Sequence, residues 1–231
     1  MSNLRTRITP LCALAVLVVG LGCRAPVDEA APVEIPPVDA TTDVEAHIES
    51  LLALMTLEEK VGMIHASSSF TSGGVERLGI PELVMSDGPH GVRHEHTRYY
   101  DKATGVADSS TYLPVGTALA ATWNEDLGYE YGAVLGRETA YRGKDVILGP
   151  GVNIIRDPLN GRNFEYLTED PYLNSRMAVG YVRGVQDQGV AVSVKHYIAN
   201  SLEYERKNVN VEMDERTLRE IYLPAFKSAI E

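Results

Sequence analysis

Cysteine is nearly missing from this chain of 231 residues: only Cys12 and Cys23 are present. Cys12 lies inside an N-terminal apolar run, so removal of that run would leave Cys23 alone and exclude an internal disulfide. Basic runs are missing as well. With 21 Lys and Arg against 32 Asp and Glu, the formal net charge is -11, which makes the chain a poor partner for nucleic acid, whose binding depends on Lys and Arg contacts to phosphate. No apolar stretch reaches the roughly 20 residues that a membrane-spanning helix requires. The composition, 44% hydrophobic and 23% charged, excludes disorder and collagen and is that of an ordinary globular chain.

The longest apolar run, Leu11 to Leu21, follows Arg5 and Arg7 and ends in small residues, the pattern of a secretory signal. Gly20-Leu21-Gly22-Cys23 resembles a bacterial lipobox, with Cys23 as the lipidated first residue of the mature protein; Gly stands where that motif prefers Leu. Residues 1–22 are thus expected to be a signal peptide and the protein to be exported. It would be periplasmic or anchored at the outer membrane or cell surface, with plain secretion as the alternative. Removing Arg5 and Arg7 and no acid makes the mature chain two charges more negative. Residues 23–42, rich in Pro, Ala and acid, read as a semi-extended linker, and residues 43–231 as the globular part.

In the globular part, helical spacing from Val44 to His65, broken by a Thr56-Leu57-Glu58-Glu59 capping box, predicts two opening helices. Strands are expected at Glu82–Ser86, more weakly at Val115–Ala121, at Asp145–Leu148, and at Val190–Val194, the last apolar enough to be buried on both faces. Thr122 to Glu125 reads as a second capping box opening a helix to about Gly143. Further helices are expected from Pro171 to Gly189 and from an Asp214 N-cap onward, still running at Glu231. Strand, long loop and helix recur without any sequence repeat, which argues for an α/β fold with parallel strands and crossover helices. About four strands fit either an open sheet or half of a (β/α)8 barrel, which takes about 250 residues. Either way the loops after the strands share one face. Asp87, the long loop 149–170 and Lys195-His196 lie in them.

Four segments, MSDGPHGVR (85–93), LPVGTALAATWN (113–124), LGPGVNIIRDPLNGRNFEYLTEDPYL (148–173) and VKHYIANSLEYER (194–206), resemble glycoside hydrolase family 3, the β-glucosidase and β-xylosidase family, in order and spacing. The resemblance implies a (β/α)8 TIM-type barrel, of which this chain would be about the first half, and an α/β sandwich domain after it. It further implies retaining hydrolysis of terminal non-reducing β-linked sugars by two carboxylates, without cofactor or metal. The family's nucleophilic Asp sits in a Ser-Asp-Trp type motif that this sequence lacks. The nucleophile is therefore expected beyond Glu231, and the acid/base further on. The chain itself is expected to be a fragment that holds sugar-binding residues and no catalytic residue.

By that resemblance Asp87, Arg162, Lys195 and His196 bind the sugar, and Glu203 either supports the pocket or caps its loop. A carboxylate accepts from two neighbouring hydroxyls at once, and a guanidinium donates from a rigid planar fork. Taken alone, Asp87 would read as a turn residue, Arg162 as a loop brace to Glu165 or Asp157, and Arg156 as a structural brace. Lys195 and His196 cannot both point inward from an ideal strand, so an unusual peptide is expected between them. His90, His94 and His96 form a His-rich patch that reads as a solvated loop in preference to a metal site. Trp123, Tyr99, Tyr100 and Tyr166 read as packing or surface residues before sugar-stacking faces. The partner expected is a β-linked oligosaccharide or aryl glycoside. A lipid-anchored sugar-binding protein without catalysis is the competing reading.

Overall fold

The computed structural model describes residues 43–93 and 110–231. The signal and linker segments, Cys23, His94, His96, Tyr99 and Tyr100 lie outside the described residues. Helices α1 (Val44–Leu54) and α2 (Leu57–Met63) open the domain. The expected capping box is formed: Thr56 Oγ1 accepts from Glu59 N at 3.2 Å, and Glu59 Oε2 accepts from Thr56 N at 2.8 Å. Two otherwise unpaired backbone donors are thereby satisfied at the helix start.

Three strands follow, β1 (Met85–Asp87), β2 (Val146–Leu148) and β3 (Ala191–Val192), paired in parallel in the order 1-2-3. Asp87 is level with Leu148, and Ile147 with Val192. Neighbours in chain order mean that every crossover advances in the same direction. With right-handed connections, the crossover helices then cover one face of the sheet, as in a barrel; a doubly wound sheet covers both. Pairing persists beyond the strands: Val152 N donates to Lys195 O at 2.7 Å and Lys195 N to Pro150 O at 3.0 Å. The loops after β2 and β3 therefore leave the sheet side by side.

The first crossover contains α3 (Gly116–Ala120) and α4 (Glu125–Tyr141), and the second contains α5 (Pro171–Gln186). The strand expected at Val115–Ala121 is a helix. Ala118, Leu119 and Ala120 favour helix over strand, and the helix buries Leu119 and Ala120. The capping box expected at Thr122 is absent; Asn124 caps α4 by accepting from Leu127 N. Asp214 caps its helix as expected, and Asp170 caps α5. The last helical stretch runs through α6 (Glu215–Thr217), a π-helical turn (Leu218–Tyr222) and α7 (Leu223–Ile230). The helix expected from Asp214 onward is formed, and Glu231 N still donates to Lys227 O at 3.1 Å. Residues 190–194 are not buried on both faces: Ala191 and Ser193 are exposed while Val190 is buried. Among the described residues β3 has β2 as its one neighbouring strand, and an edge strand shows alternation.

Ile147, Val152, Met177, Val185 and Tyr181 form the centre of the core beneath α4 and α5. Those two helices meet through glycines. A Cβ on Gly132 would lie 2.2 Å from the Tyr181 carbonyl oxygen, and one on Gly184 would lie 2.1 Å from that of Tyr129. Backbone atoms cannot yield as a flexible side chain does. Gly184→Ala is expected to force the helices apart at about 1–3 kcal/mol, lowering Tm by roughly 3–10 °C in thermal unfolding. Gly62→Ala, inside α2 and with nothing within 4 Å of a Cβ, serves as the control and is expected to leave Tm unchanged or raise it; equal Tm values for the two variants would contradict this packing.

Candidate functional site

The C-terminal ends of the strands bring five side chains, Asp87, Arg162, Lys195, His196 and Glu203, from three loops into one cluster. Asp87 closes β1. Its Oδ1 accepts from Lys195 Nζ at 2.7 Å and from Gly88 N at 2.9 Å, and Arg93 stands 3.8 Å from its Oδ2. Burial opposes the charged form of Asp87, but the Lys195 hydrogen bond and charge outweigh it and hold the carboxyl below its ordinary range.

Arg162 precedes the 3-10 turn Asn163–Glu165. Its Nη1 donates to Glu203 Oε2 at 2.8 Å, and its Nη2 lies 2.5 Å from Glu165 Oε1 and 3.1 Å from His196 Nε2. Glu203 therefore supports the cluster through Arg162, and its Oε1 is 3.5 Å from Arg206 Nε. Both readings of Arg162, loop brace and site residue, describe the same side chain. Arg156 makes no ion pair among the described residues. It lies with Asp157, Asn200 and Arg206 around an adjoining pocket of about 480 Å³, so the bracing expected of Arg156 falls to Arg162 and Glu165 instead.

The Lys195–His196 peptide is cis, as the expected unusual conformation required, and both side chains reach the cluster. Lys195 Nζ is 3.6 Å from Glu165 Oε2, besides its bond to Asp87. A guanidinium can only donate, so His196 Nε2 accepts from Arg162 and the ring proton belongs on Nδ1, facing the Tyr166 hydroxyl at 3.2 Å. That hydroxyl also accepts from Asn153 Nδ2 at 3.2 Å and donates to the Asn200 carbonyl. Its one donor and two acceptor positions are all filled.

Burial, with the Lys195 and Arg162 charges, pushes the His196 pKa down to about 4. The unfolded chain takes up this proton near pH 6.5, whereas the folded chain resists it until about 4. His196 thus contributes stability that is lost as pH falls from 6.5 towards 4. Denaturant unfolding between pH 7 and pH 4 is expected to show a steeper loss for wild type than for His196→Gln; parallel curves would contradict the buried neutral ring. Glu165 acts oppositely. Burial raises its pKa despite Lys195 and Arg162, so its contribution diminishes as pH rises.

Three participants carry no signal strong enough to single them out in the sequence. Glu165, with a side chain 3% exposed, lies beneath the cluster. Tyr166 is fully buried and belongs to the packed network; it is not a stacking face. Asn153, also fully buried, donates to His196 O at 3.0 Å and accepts from Ala199 N at 3.2 Å, fixing the turn after β3. A Glu three residues beyond an Arg on a 3-10 turn, where i and i+3 eclipse, is the one hint available for Glu165. His90 is not a solvated residue: its Nε2 donates to the Phe164 carbonyl at 2.7 Å and its Nδ1 is 3.2 Å from the Tyr131 hydroxyl, which ties the loop after β1 to the Arg162 loop. Trp123 is exposed, Asp157 accepts from Leu159 N within its own turn, and Asp170 is occupied as a helix cap. Glu231 takes no part in the cluster: its exposed carboxylate lies 3.6 Å from Lys227 Nζ, one helical turn back.

The cluster thus brings together a partly exposed carboxylate, an ammonium, a largely buried guanidinium and a neutral imidazole, a donor and acceptor set suited to vicinal hydroxyls. Residues 55–231 match the model of the glycosyl hydrolase family 3 N-terminal domain. Beta-glucosidase BoGH3A of Bacteroides ovatus is 48% identical over 229 residues, which cover 99% of this chain and 30% of that protein. An exo-alpha-(1->6)-L-arabinopyranosidase of Bifidobacterium longum is 42% identical over 77% of this chain and 24% of its own length. The solved structure of beta-glucosidase 3B from Thermotoga neapolitana in complex with glucose superposes with a TM-score of 0.72 at 40% identity, covering 79% of this chain and 27% of that one. The chain spans less than a third of the length of these relatives. On its fold, its site and these likenesses, the chain belongs to glycoside hydrolase family 3.

Proposed function

We propose that this chain supplies the terminal-sugar grip of an exported β-glucosidase that removes the non-reducing sugar of β-linked oligosaccharides with retention. The observation that carries the reading is the convergence of Asp87, Arg162, Lys195 and His196, from three separate loops, at one opening. Many hydroxyl contacts to a single ring let binding energy remote from the scissile bond position and distort the sugar. The relative named BoGH3A supports glucose as the sugar, while the arabinopyranosidase at comparable identity shows that the same framework serves another sugar in a relative. Assay of the intact gene's product against a panel of aryl β-glycosides tests it: the β-glucoside is expected to be turned over fastest, and preference for another sugar would overturn the choice of glucose.

Sugar binding without catalysis is favoured by one observation. Each carboxylate of the cluster is engaged by Lys or Arg, and Glu165, whose pKa is raised, is buried out of reach. None is therefore set to protonate a leaving oxygen. We propose that the nucleophile and the acid/base are contributed by polypeptide beyond Glu231, so that the 231-residue chain alone binds sugar and hydrolyses nothing. Turnover by the purified chain above that of its Asp87→Asn variant would overturn this. The membrane tether rests on Cys23 and the apolar run before it; mass analysis of the mature N-terminus is expected to show lipid on Cys23, lost in Cys23→Ser.

A further inference from the structure

The two cations of the site are each held twice, once from outside and once from beneath. Lys195 has Asp87 at 2.7 Å and Glu165 at 3.6 Å; Arg162 has Glu203 at 2.8 Å and Glu165 at 2.5 Å. The outer carboxylates are open, with side chains 37% and 50% exposed, and the shared inner one is 3% exposed. A ligand hydroxyl can therefore compete for Asp87 or Glu203 and cannot reach Glu165. The same carboxylate lies 3.9 Å from His196 Nδ1, so three of the four sugar-facing groups converge on it.

We infer that Glu165 is the positioning residue of the site: it anchors Lys195 and Arg162 from beneath, so that both cations keep their places when a sugar draws Asp87 and Glu203 away from them. The inference rests on the sugar-binding reading for its ligand, although the anchoring itself does not. Without the inner anchor, each cation would have to leave its sole carboxylate partner in order to serve the ligand. With it, the outer acids are free to accept from hydroxyls while the cations remain fixed donors. Glu165 touches no ligand, so its effect on binding must pass through the residues it holds.

A double-mutant cycle separates this from a merely structural role. Glucose affinity of the 231-residue chain is followed by NMR titration for wild type, Glu165→Gln, Lys195→Ala and the double variant, with Tm as the check on folding. Glu165→Gln is expected to weaken glucose about tenfold in the wild-type background and by a smaller factor once Lys195 is gone, because only the Arg162 anchor is then lost. Glu165→Asp, which keeps the charge, is expected to recover part of the loss. An equal loss in both backgrounds, or none in either, would overturn the inference. If wild type binds no glucose, the sugar reading fails alone. The anchor is then decided by the Lys195 ammonium ¹⁵N signal, expected in wild type and broadened away in Glu165→Gln; an unchanged signal overturns it.

Discussion

Arg162→Ala is expected to destabilise the chain by about 3–5 kcal/mol, because it leaves the Glu165 carboxylate buried with only Lys195, 3.6 Å away, to compensate it. The size of the loss should depend on pH. Burial already raises the Glu165 pKa against the opposing charges of Lys195 and Arg162, and deleting Arg162 raises it further. A carboxyl whose folded pKa lies above its unfolded value contributes stability that disappears as pH rises through the folded value. Arg162→Ala should therefore come closest to wild type near pH 5 and fall furthest below it near pH 8, as read from denaturant midpoints. A loss of equal size at both values would mean that Glu165 does not carry the charge assigned to it. Arg162→Lys keeps the charge and loses the fork that reaches Glu203, Glu165 and His196 together; it is expected to recover stability and not sugar binding.

Asp87→Ala is expected to act in the opposite sense, with a large effect on activity and little on stability. Its side chain is 37% exposed, so no buried charge is stranded, and Lys195 retains Glu165. The lost group is a carboxylate that can accept from two sugar hydroxyls at once. Charged hydrogen bonds contribute about 1.5–3 kcal/mol each, so kcat/KM of the intact gene's product for an aryl β-glucoside should fall roughly 10²-fold or more. Asp87→Asn, which retains one acceptor and introduces a donor facing Lys195, should fall nearly as far. A Tm shift of more than a few degrees in either variant would return Asp87 to the role of a turn residue, its hydrogen bond to Gly88 N then being the one that matters.

Elements whose determinants lie close together in sequence were legible before the structure. The Thr56 and Glu59 capping box and the Asp214 cap each need residues three apart, and both are formed. The parallel order and the shared mouth followed from strand-loop-helix alternation, and the placement of Asp87, Arg162, Lys195 and His196 followed from the family resemblance. Apolar runs misled where context decides. VGTALAA reads as a strand by apolarity, yet it is the helix α3, and VAVSV is an alternating edge strand among the described residues. The support beneath the site was illegible for another reason. Asn153 reaches His196 and Ala199, more than 40 residues away in sequence, and Tyr166 joins Asn153, His196 and Asn200. Such networks exist only once β2 and β3 lie side by side. The glycine contact between α4 and α5 is intermediate: Gly128, Gly132 and Gly136 recur at helical spacing, but only the facing Gly180 and Gly184 give that spacing its purpose.

The central claim, that this cluster grips the terminal sugar, is tested most directly by titrating glucose into the 231-residue chain and following amide shifts by NMR. Saturable shifts of the residues around Asp87, Arg162 and Lys195 are expected, and they should weaken at least tenfold in Asp87→Ala with the fold intact. Shifts that do not saturate, or that are the same in wild type and Asp87→Ala, would contradict it.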